Sequence, residues 1–211
     1  MMRPPERSPE RDAAIEALLP NVPFDGWTYK ALRMGLRAAG PAEEDAELLF
    51  PGGAADMIEA YCDLADRQME KAAATLGLSE MRLTQRVRAL IALRLRQKRP
   101  HREAIRRALS VLALPQHAGL AAACTARAVD AIWHAAGDTA ADFSWYTKRA
   151  ILAGVYSSTL LFWLTDDSEE DEATLAFLDR RLADVGRIGK VRGRLESLVR
   201  RFTPASLRRA A

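Results

Sequence analysis

The chain has little of what disulfide-framed, membrane-spanning or catalytic proteins need. It has two cysteines in 211 residues, Cys62 and Cys124, far apart and in no C-x-x-C pair. They exclude a disulfide scaffold and read as small buried apolar residues in a reducing compartment. Glycine and proline are few and β-branched residues sparse, with no alternating apolar run and no Asn-Gly turn, so hairpins are not expected. The longest apolar run, Ala150 to Leu164, is interrupted by Ser157, Ser158 and Thr159. It falls short of the roughly 20 residues of a membrane span and predicts a core helix. The N-terminus, MMRPPERSPERDAA, has no apolar segment, which excludes a secretory signal; residues 1–9 read as a disordered leader. The three histidines, His101, His117 and His134, form no H-x-x-x-H pair, and no repeated E-x-x-H suggests a di-iron site. There is no G-x-S-x-G and no phosphate-binding glycine loop. The expectation is therefore a protein that is not an enzyme, with no metal and no resident cofactor.

Ala, Leu, Arg and Glu dominate instead, and such a composition favours helix throughout. The predicted class is all-α. The net charge of +3 hides a striped distribution. Residues 41–80 carry ten acids against two bases, a net of −8. Residues 82–107 carry ten bases against one acid, a net of +9, and residues 187–211 eight bases against one acid, a net of +7. Such asymmetry bears on partners.

Apolar spacing and breakers predict helices over about 10–19, 28–39, 42–49, 54–76, 83–97, 102–113, 116–136, 142–165 and 169–185. Ser168 and Asp171 suit a capping box for the last of these. The basic face of 83–97 suits either a solvated surface paired with the acidic 54–76 helix or an anionic-ligand surface. Three short helices feeding a long one is the layout of a helix–turn–helix domain. The order Phe24-x-Gly26-Trp27-Thr28, Ala39-Gly40, Leu49-Phe50 and Met57-Ile58 with Tyr61 resembles the tetracycline-repressor superfamily. In that fold the third helix enters the major groove. Here it holds Glu43, Glu44, Asp45 and Glu47 with no Lys or Arg, and carboxylates repel a polyanion. A relic that does not bind nucleic acid is the expectation. The competing reading is a ligand-responsive DNA-binding transcription regulator touching DNA through residues 27–30 and the basic 83–97 helix. The units predicted are 1–9 as leader, 10–53 as a degenerate helix–turn–helix-like unit, 54–186 as a helical ligand-binding domain and 187–211 as a basic amphipathic helix and tail.

Asp142, Trp145, Tyr146 and Arg149 are spaced i, i+3, i+4, i+7 and share one helix face. They read either as half-buried aromatics with a local ion pair or as an exposed aromatic-plus-arginine interface patch. Trp133, Tyr156 and Trp163 are guessed as lining a ligand pocket, and suit a plain core equally. Ile188, Val191, Leu195, Leu198, Val199 and Phe202 form an apolar stripe with Lys190 and Arg194 among the basic residues beside it. Such a helix lies well on an anionic membrane surface or docks on the protein itself; the glycine break before it favours the membrane.

Ala136-Gly-Asp, Asp142-Phe-Ser-Trp-Tyr-Thr-Lys-Arg149 and Thr174-Leu-Ala-Phe-Leu-Asp-Arg-Arg181, with Gly26-Trp27-Thr28, resemble the ubiquinone-biosynthesis accessory family known as Coq-nine. The resemblance runs from about Arg11 to Arg181; the last helix matches only in character. It implies a repressor-like fold without gene regulation and an interior that binds an isoprenoid lipid or quinone intermediate. It also implies a docking patch at Asp142, Trp145, Tyr146 and Arg149 for the demethoxyubiquinone hydroxylase, and a terminal helix on the membrane. With a leader in place of a transit segment, it suggests a cytoplasmic protein peripheral on the inner face of a bacterial inner membrane. Repressors of this fold pair through their last long helices, so a homodimer is expected by analogy.

Overall fold

In the computed structural model, residues 5–40, 45–138 and 144–185 are described, and among them there are helices and turns but no strand. Helix α1 (Pro9–Leu18) starts where its sequence says it should. Ser8 Oγ accepts from the Arg11 amide at 3.1 Å, Pro9 occupies the first turn, and Glu10 and Asp12 face the positive end of the helix dipole. Helix α2 (Val22–Asp25) is a single turn where the sequence suggested only a break; Pro23 suits a helix start because its missing amide is not needed there. Helix α3 (Tyr29–Ala39) is capped by Thr28, which accepts from the Ala31 amide at 3.2 Å. It ends at Gly40 with φ +100°. Helix α4 (Ala46–Leu49) is one turn.

Helix α5 (Gly53–Ala73) runs through the centre and packs against α1, α6 (Leu83–Lys98), α7 (Arg102–Leu112) and α8 (Ala118–Ala135). Helix α9 (Ser144–Trp163) lies along α8 and α6, and α10 spans 172–185. Trp27 Nε1 donates to the Ala104 carbonyl at 3.0 Å and its ring tilts against Tyr61, so the N-terminal helices are fixed to the bundle at one buried corner. One apolar core runs from Ile15 and Leu32 through Met57 and Ile91 to Ile132 and Trp163.

Many charges of both stripes are paired, but mostly with residues outside the opposite stripe; Arg94 with Asp66 joins the two directly. Arg7, within the expected leader, makes a two-point bridge to Asp63 (2.7 and 2.9 Å), and Arg67 joins Asp63 to Asp12. Arg11 reaches Asp56 at 2.5 Å, and Arg127 reaches Glu59 at 2.8 Å. From the basic run, Arg94 meets Asp66, Arg88 meets Asp179, and Arg102 meets Asp171, each at about 2.5 Å.

The start of α10 departs from the expected capping box. Residues Glu169–Asp171 form a 3-10 turn, with Glu170 and Asp171 at positive φ. Asp171 turns to Arg102, and Asp166 caps instead: it accepts from the Ser168 amide (2.8 Å), the Thr174 amide (2.8 Å) and the Thr174 hydroxyl (2.5 Å). Ser168 Oγ accepts from the Ala173 amide at 2.9 Å. Asp166 lies three residues upstream of the expected helix start, and a spacing search anchored on Ser168 passes over it.

Candidate functional site

Two adjoining cavities lie between α5, α6, α7, α8 and α9. The larger, of about 320 Å³, is walled by Leu109, Leu112, Ala121, Ala128 and Leu161; the smaller, of about 70 Å³, by Ala65, Leu95, Ile105 and Ala108. They share Cys62, Arg94, Leu109, Leu112, Tyr156 and Leu160. The space exists because α8 presents small residues to α5, whereas α7 and α9 bring leucines from the far side. Small side chains allow close helix approach at one level and leave a gap at the next.

At the common wall sits a buried polar centre. Arg94 Nη1 lies 2.5 Å from Asp66 Oδ1, and Arg94 Nε donates to the Tyr156 hydroxyl oxygen at 2.8 Å. Arg94, Asp66 and Tyr156 are 5%, 6% and 7% exposed. Burial pushes the Asp66 carboxyl up, against the pull of Arg94. Burial also pushes the Tyr156 hydroxyl up. For Arg94 burial works the other way, but Asp66 and Tyr156 outweigh it and hold the guanidinium charged. Lys98 donates to Gln68 Oε1 at 2.8 Å and is pulled down to about 8, by burial first and by Arg94 second. Its ammonium sits 5.1 Å over the Tyr61 ring. The Tyr61 hydroxyl is buried with no hydrogen-bond partner, as is Asp66 Oδ2. Such groups are costly to bury unmatched; the Tyr61 side chain lines the smaller cavity, and Asp66 lies against Arg94 in its wall. Cys62 and Cys124 also meet here. The Cys62 thiol is raised by its hydrogen bond to Cys124 and then by burial, and Cys124 is lowered by the same bond. Sequence separation hid that meeting.

Of the three guessed pocket residues, Tyr156 lines both cavities. Trp133 lines a separate cavity of about 180 Å³ with Leu83, Val87, Ile151, Leu182 and Val185. Trp163 lines none of the three: it is fully buried, with the Arg102 guanidinium 4.6 Å over its ring. Arg94 and Asp66 were missed, though their spacing carried a signal. Val87, Ile91, Arg94 and Lys98 follow the inner stripe of α6, so Arg94 falls where an apolar residue belongs.

The expected surface patch is partly in view. Tyr146 is 70% exposed, and its ring meets Trp145 edge-on at 4.7 Å between centroids. The Arg149 guanidinium stacks 3.7 Å over Trp145 and pairs with Asp130. A cation stacked on an aromatic ring fixes both side chains before any partner arrives. Asp142 lies outside the described residues, as does the whole expected membrane helix with Ile188, Lys190, Val191, Arg194, Leu195, Leu198, Val199 and Phe202. No single helix among the described residues is long and apolar enough to cross a membrane. Among them no group of three or more His, Cys, Asp or Glu could hold a metal ion.

At the helix–turn–helix corner, Glu47 of α4 pairs with Arg33 of α3. The Arg33 charge is thus already neutralised, and Leu48 next to Glu47 is 80% exposed. A DNA-reading surface needs the opposite arrangement, cations and donors turned outward.

The fold matches the crystal structure of a TetR transcriptional regulator from Nitrosomonas europaea, with TM-score 0.67 and 22% identity over 83% of this chain and 97% of that one. That likeness speaks for the fold alone. The COQ9 family model matches residues 118–189, the segment holding α8, α9 and α10. The chain is similar to the mitochondrial ubiquinone biosynthesis protein COQ9 of Rattus norvegicus, 34% identical over 87% of this chain and 61% of that protein. The Homo sapiens protein of that name is 33% identical, with 59% of its length covered. The chain thus spans about three fifths of these two relatives. Of the Schizosaccharomyces pombe protein of that name it spans 70%, at 30% identity over 178 residues. With the repressor-like fold, the family match on α8 to α10 and these relatives, the chain belongs to the COQ9 family.

Proposed function

We propose that this protein is a non-enzymatic accessory protein of ubiquinone biosynthesis that binds an isoprenoid quinone intermediate in its interior and presents it to a demethoxyubiquinone hydroxylase. The relatives are named for ubiquinone biosynthesis. The observation that carries the binding step is the apolar cavity pair with one buried polar centre, Arg94, Asp66 and Tyr156. An amphiphile needs that division: apolar walls for hydrocarbon and a small number of placed polar groups for a head. Ligand pockets that enclose a whole drug-sized molecule run from about 300 to 1,000 Å³. The larger cavity, about 320 Å³, is at the lower bound, so it takes one end of a long lipid and leaves the rest outside.

Presentation follows from the surface. Trp145, Tyr146 and Arg149, with Asp142, form the docking patch for the hydroxylase; Tyr146 is its exposed member beside the half-buried, stacked Trp145 and Arg149, and aromatic and arginine side chains are the residues that carry interface energy. Residues 188–202 hold the protein to an anionic membrane, on the inner face of a bacterial inner membrane, where the quinone precursors dissolve. The protein brings lipid and enzyme together and forms no covalent bond itself.

The test is to purify the full chain with its native lipids and identify the solvent extract by mass spectrometry. Isoprenoid quinones or their precursors should co-purify, and Ala121→Phe, which fills the larger cavity, should remove them while the fold is retained by circular dichroism. Finding only membrane phospholipid in proportion to its abundance, unchanged in the variant, would overturn the reading.

A further inference from the structure

Two sulfurs meet in the wall of the larger cavity, and neither has a part in the function proposed above. Cys62 comes from α5 and Cys124 from α8, both line that cavity, and both are free thiols. Their side chains hydrogen-bond to each other. The two are not equivalent. Arg127 Nη2 donates to the Cys124 sulfur at 3.4 Å, and Glu59, 2.8 Å from the same nitrogen, holds the guanidinium in place. Beside Cys62 the cation sharing its cavities is Arg94, which is already taken by Asp66 at 2.5 Å. The bond from Cys62 pulls the Cys124 thiol down and Arg127 adds to the pull, against burial and the carboxylates of Glu59 and Asp66. The same bond pushes the Cys62 thiol up, as do burial and Asp66, with Arg94 opposing.

A thiolate favoured by a guanidinium and reachable from outside is the attacking sulfur in thiol chemistry, and a neutral thiol touching it is the resolving one. The cavity supplies the reach. Cys124 is 6% exposed, but the cavity it lines is also walled by Leu161, 60% exposed, so the space opens to solvent beside α9. We propose that Cys124 and Cys62 form a hydroperoxide-responsive dithiol, in which Cys124 is oxidised first and Cys62 then closes a reversible disulfide between α5 and α8. In the first step the Cys124 thiolate attacks one peroxide oxygen. The S–O bond forms, the O–O bond breaks, and the second oxygen leaves with the electron pair and takes a proton, as water or an alcohol. In the second step the Cys62 sulfur attacks the Cys124 sulfenic acid. The S–S bond forms, the S–O bond breaks, and hydroxide leaves as water with the Cys62 proton. The two thiols lose two electrons and the peroxide gains them. The bond fixes α5 to α8 at the cavity wall, so the oxidation state sets how far the two helices can part there. None of this depends on what the cavity holds.

The experiment treats the full chain, reduced and then freed of reductant, with hydrogen peroxide and maps its peptides by mass spectrometry without reduction. Wild type should lose two hydrogen atoms from its intact mass, yield a Cys62–Cys124 cross-linked peptide from a chain that stays single on a non-reducing gel, and return to the starting mass with dithiothreitol. In Cys62→Ser, dimedone present during oxidation should label Cys124; in Cys124→Ser, Cys62 should stay unlabelled. The wild-type map needs no substitution, so a variant that fails to fold leaves the test intact. Thiols that survive excess peroxide, disulfides only between chains, or passage of Cys124 to the sulfinic acid in wild type would overturn the dithiol. Labelling of Cys62 in Cys124→Ser as strong as that of Cys124 in Cys62→Ser would overturn the order of the two sulfurs.

Discussion

The N-terminal helices, α1 to α4, and the bundle of α5 to α9 solve the packing problem in opposite ways. In the first, α1 and α3 are in backbone contact: a Cβ built on Gly35 would sit 2.2 Å from the Ala17 carbonyl oxygen. Arginines from this part reach its neighbours, with Arg7 on Asp63 and Arg11 on Asp56. In the bundle, small residues on α8 face leucines across open space, and an ion pair is buried in the wall. Close packing fills the N-terminal unit, and the room inside lies in the bundle, with Arg94, Tyr61 and Tyr156 in its walls. A dense interior fixes a shape, whereas a cavity with polar groups in its wall is fitted to a second molecule.

Four variants probe that contrast, the largest effect first. Asp66→Asn leaves the Arg94 guanidinium buried without its anion and should cost about 3–5 kcal/mol in urea unfolding. The double variant Asp66→Leu with Arg94→Met should recover most of that loss, because apolar replacements fill the same space without a charge to solvate. A single variant as stable as wild type would mean that water already reaches the pair. Gly35→Ala should cost about 3 kcal/mol, at the upper end for overpacking, because the obstacle is backbone of α1 that cannot rotate away. A thermal midpoint unchanged in that variant would show the α1–α3 contact to be looser than the geometry says. The smallest effect is a pH dependence at the α9–α10 junction. Burial works to raise the Asp166 carboxyl, but hydrogen bonds from Ser168 and Thr174 win and hold it at about 2. A depressed folded value stabilises above the ordinary carboxylate range, so this contribution should be present at pH 5 and disappear as pH falls from about 4 to 2. Asp166→Asn should flatten the urea midpoint over that interval; an identical slope in the variant would remove Asp166 from the account.

The helices were legible because their apolar residues repeat at helical spacing and their ends carry Ser, Thr, Gly and Pro. The short turn α2 was not, since Val22-Pro23-Phe24-Asp25 is as good a loop as a helix start and only packing against α7 decides it. The face shared by Trp145, Tyr146 and Arg149 was readable because it depends on one helix. The interior centre depends on three: Asp66 on α5, Arg94 on α6 and Tyr156 on α9. A one-dimensional pattern flags Arg94 as a charge in an apolar stripe, but its counter-ion 28 positions earlier becomes visible only when α5 and α6 are laid side by side. The resemblance to a family supplied the fold and the pathway; it did not locate that centre.

The basic run 82–107 has a consequence for how the protein meets charged surfaces. Arg86 is folded onto the carbonyls of Ser79, Met81 and Ala136, Arg94 is internal, and Arg88, Arg99, Arg102 and Arg106 are each matched to a carboxylate. Paired charges project a dipole's field, which decays faster with distance than that of a lone charge and beyond about 10 Å is also screened by salt. The formal +9 written along the chain is therefore weakened at long range rather than cancelled: Arg88, Arg94, Arg99, Arg102 and Arg106 face carboxylates, whereas Arg86, held by neutral carbonyls, keeps its charge.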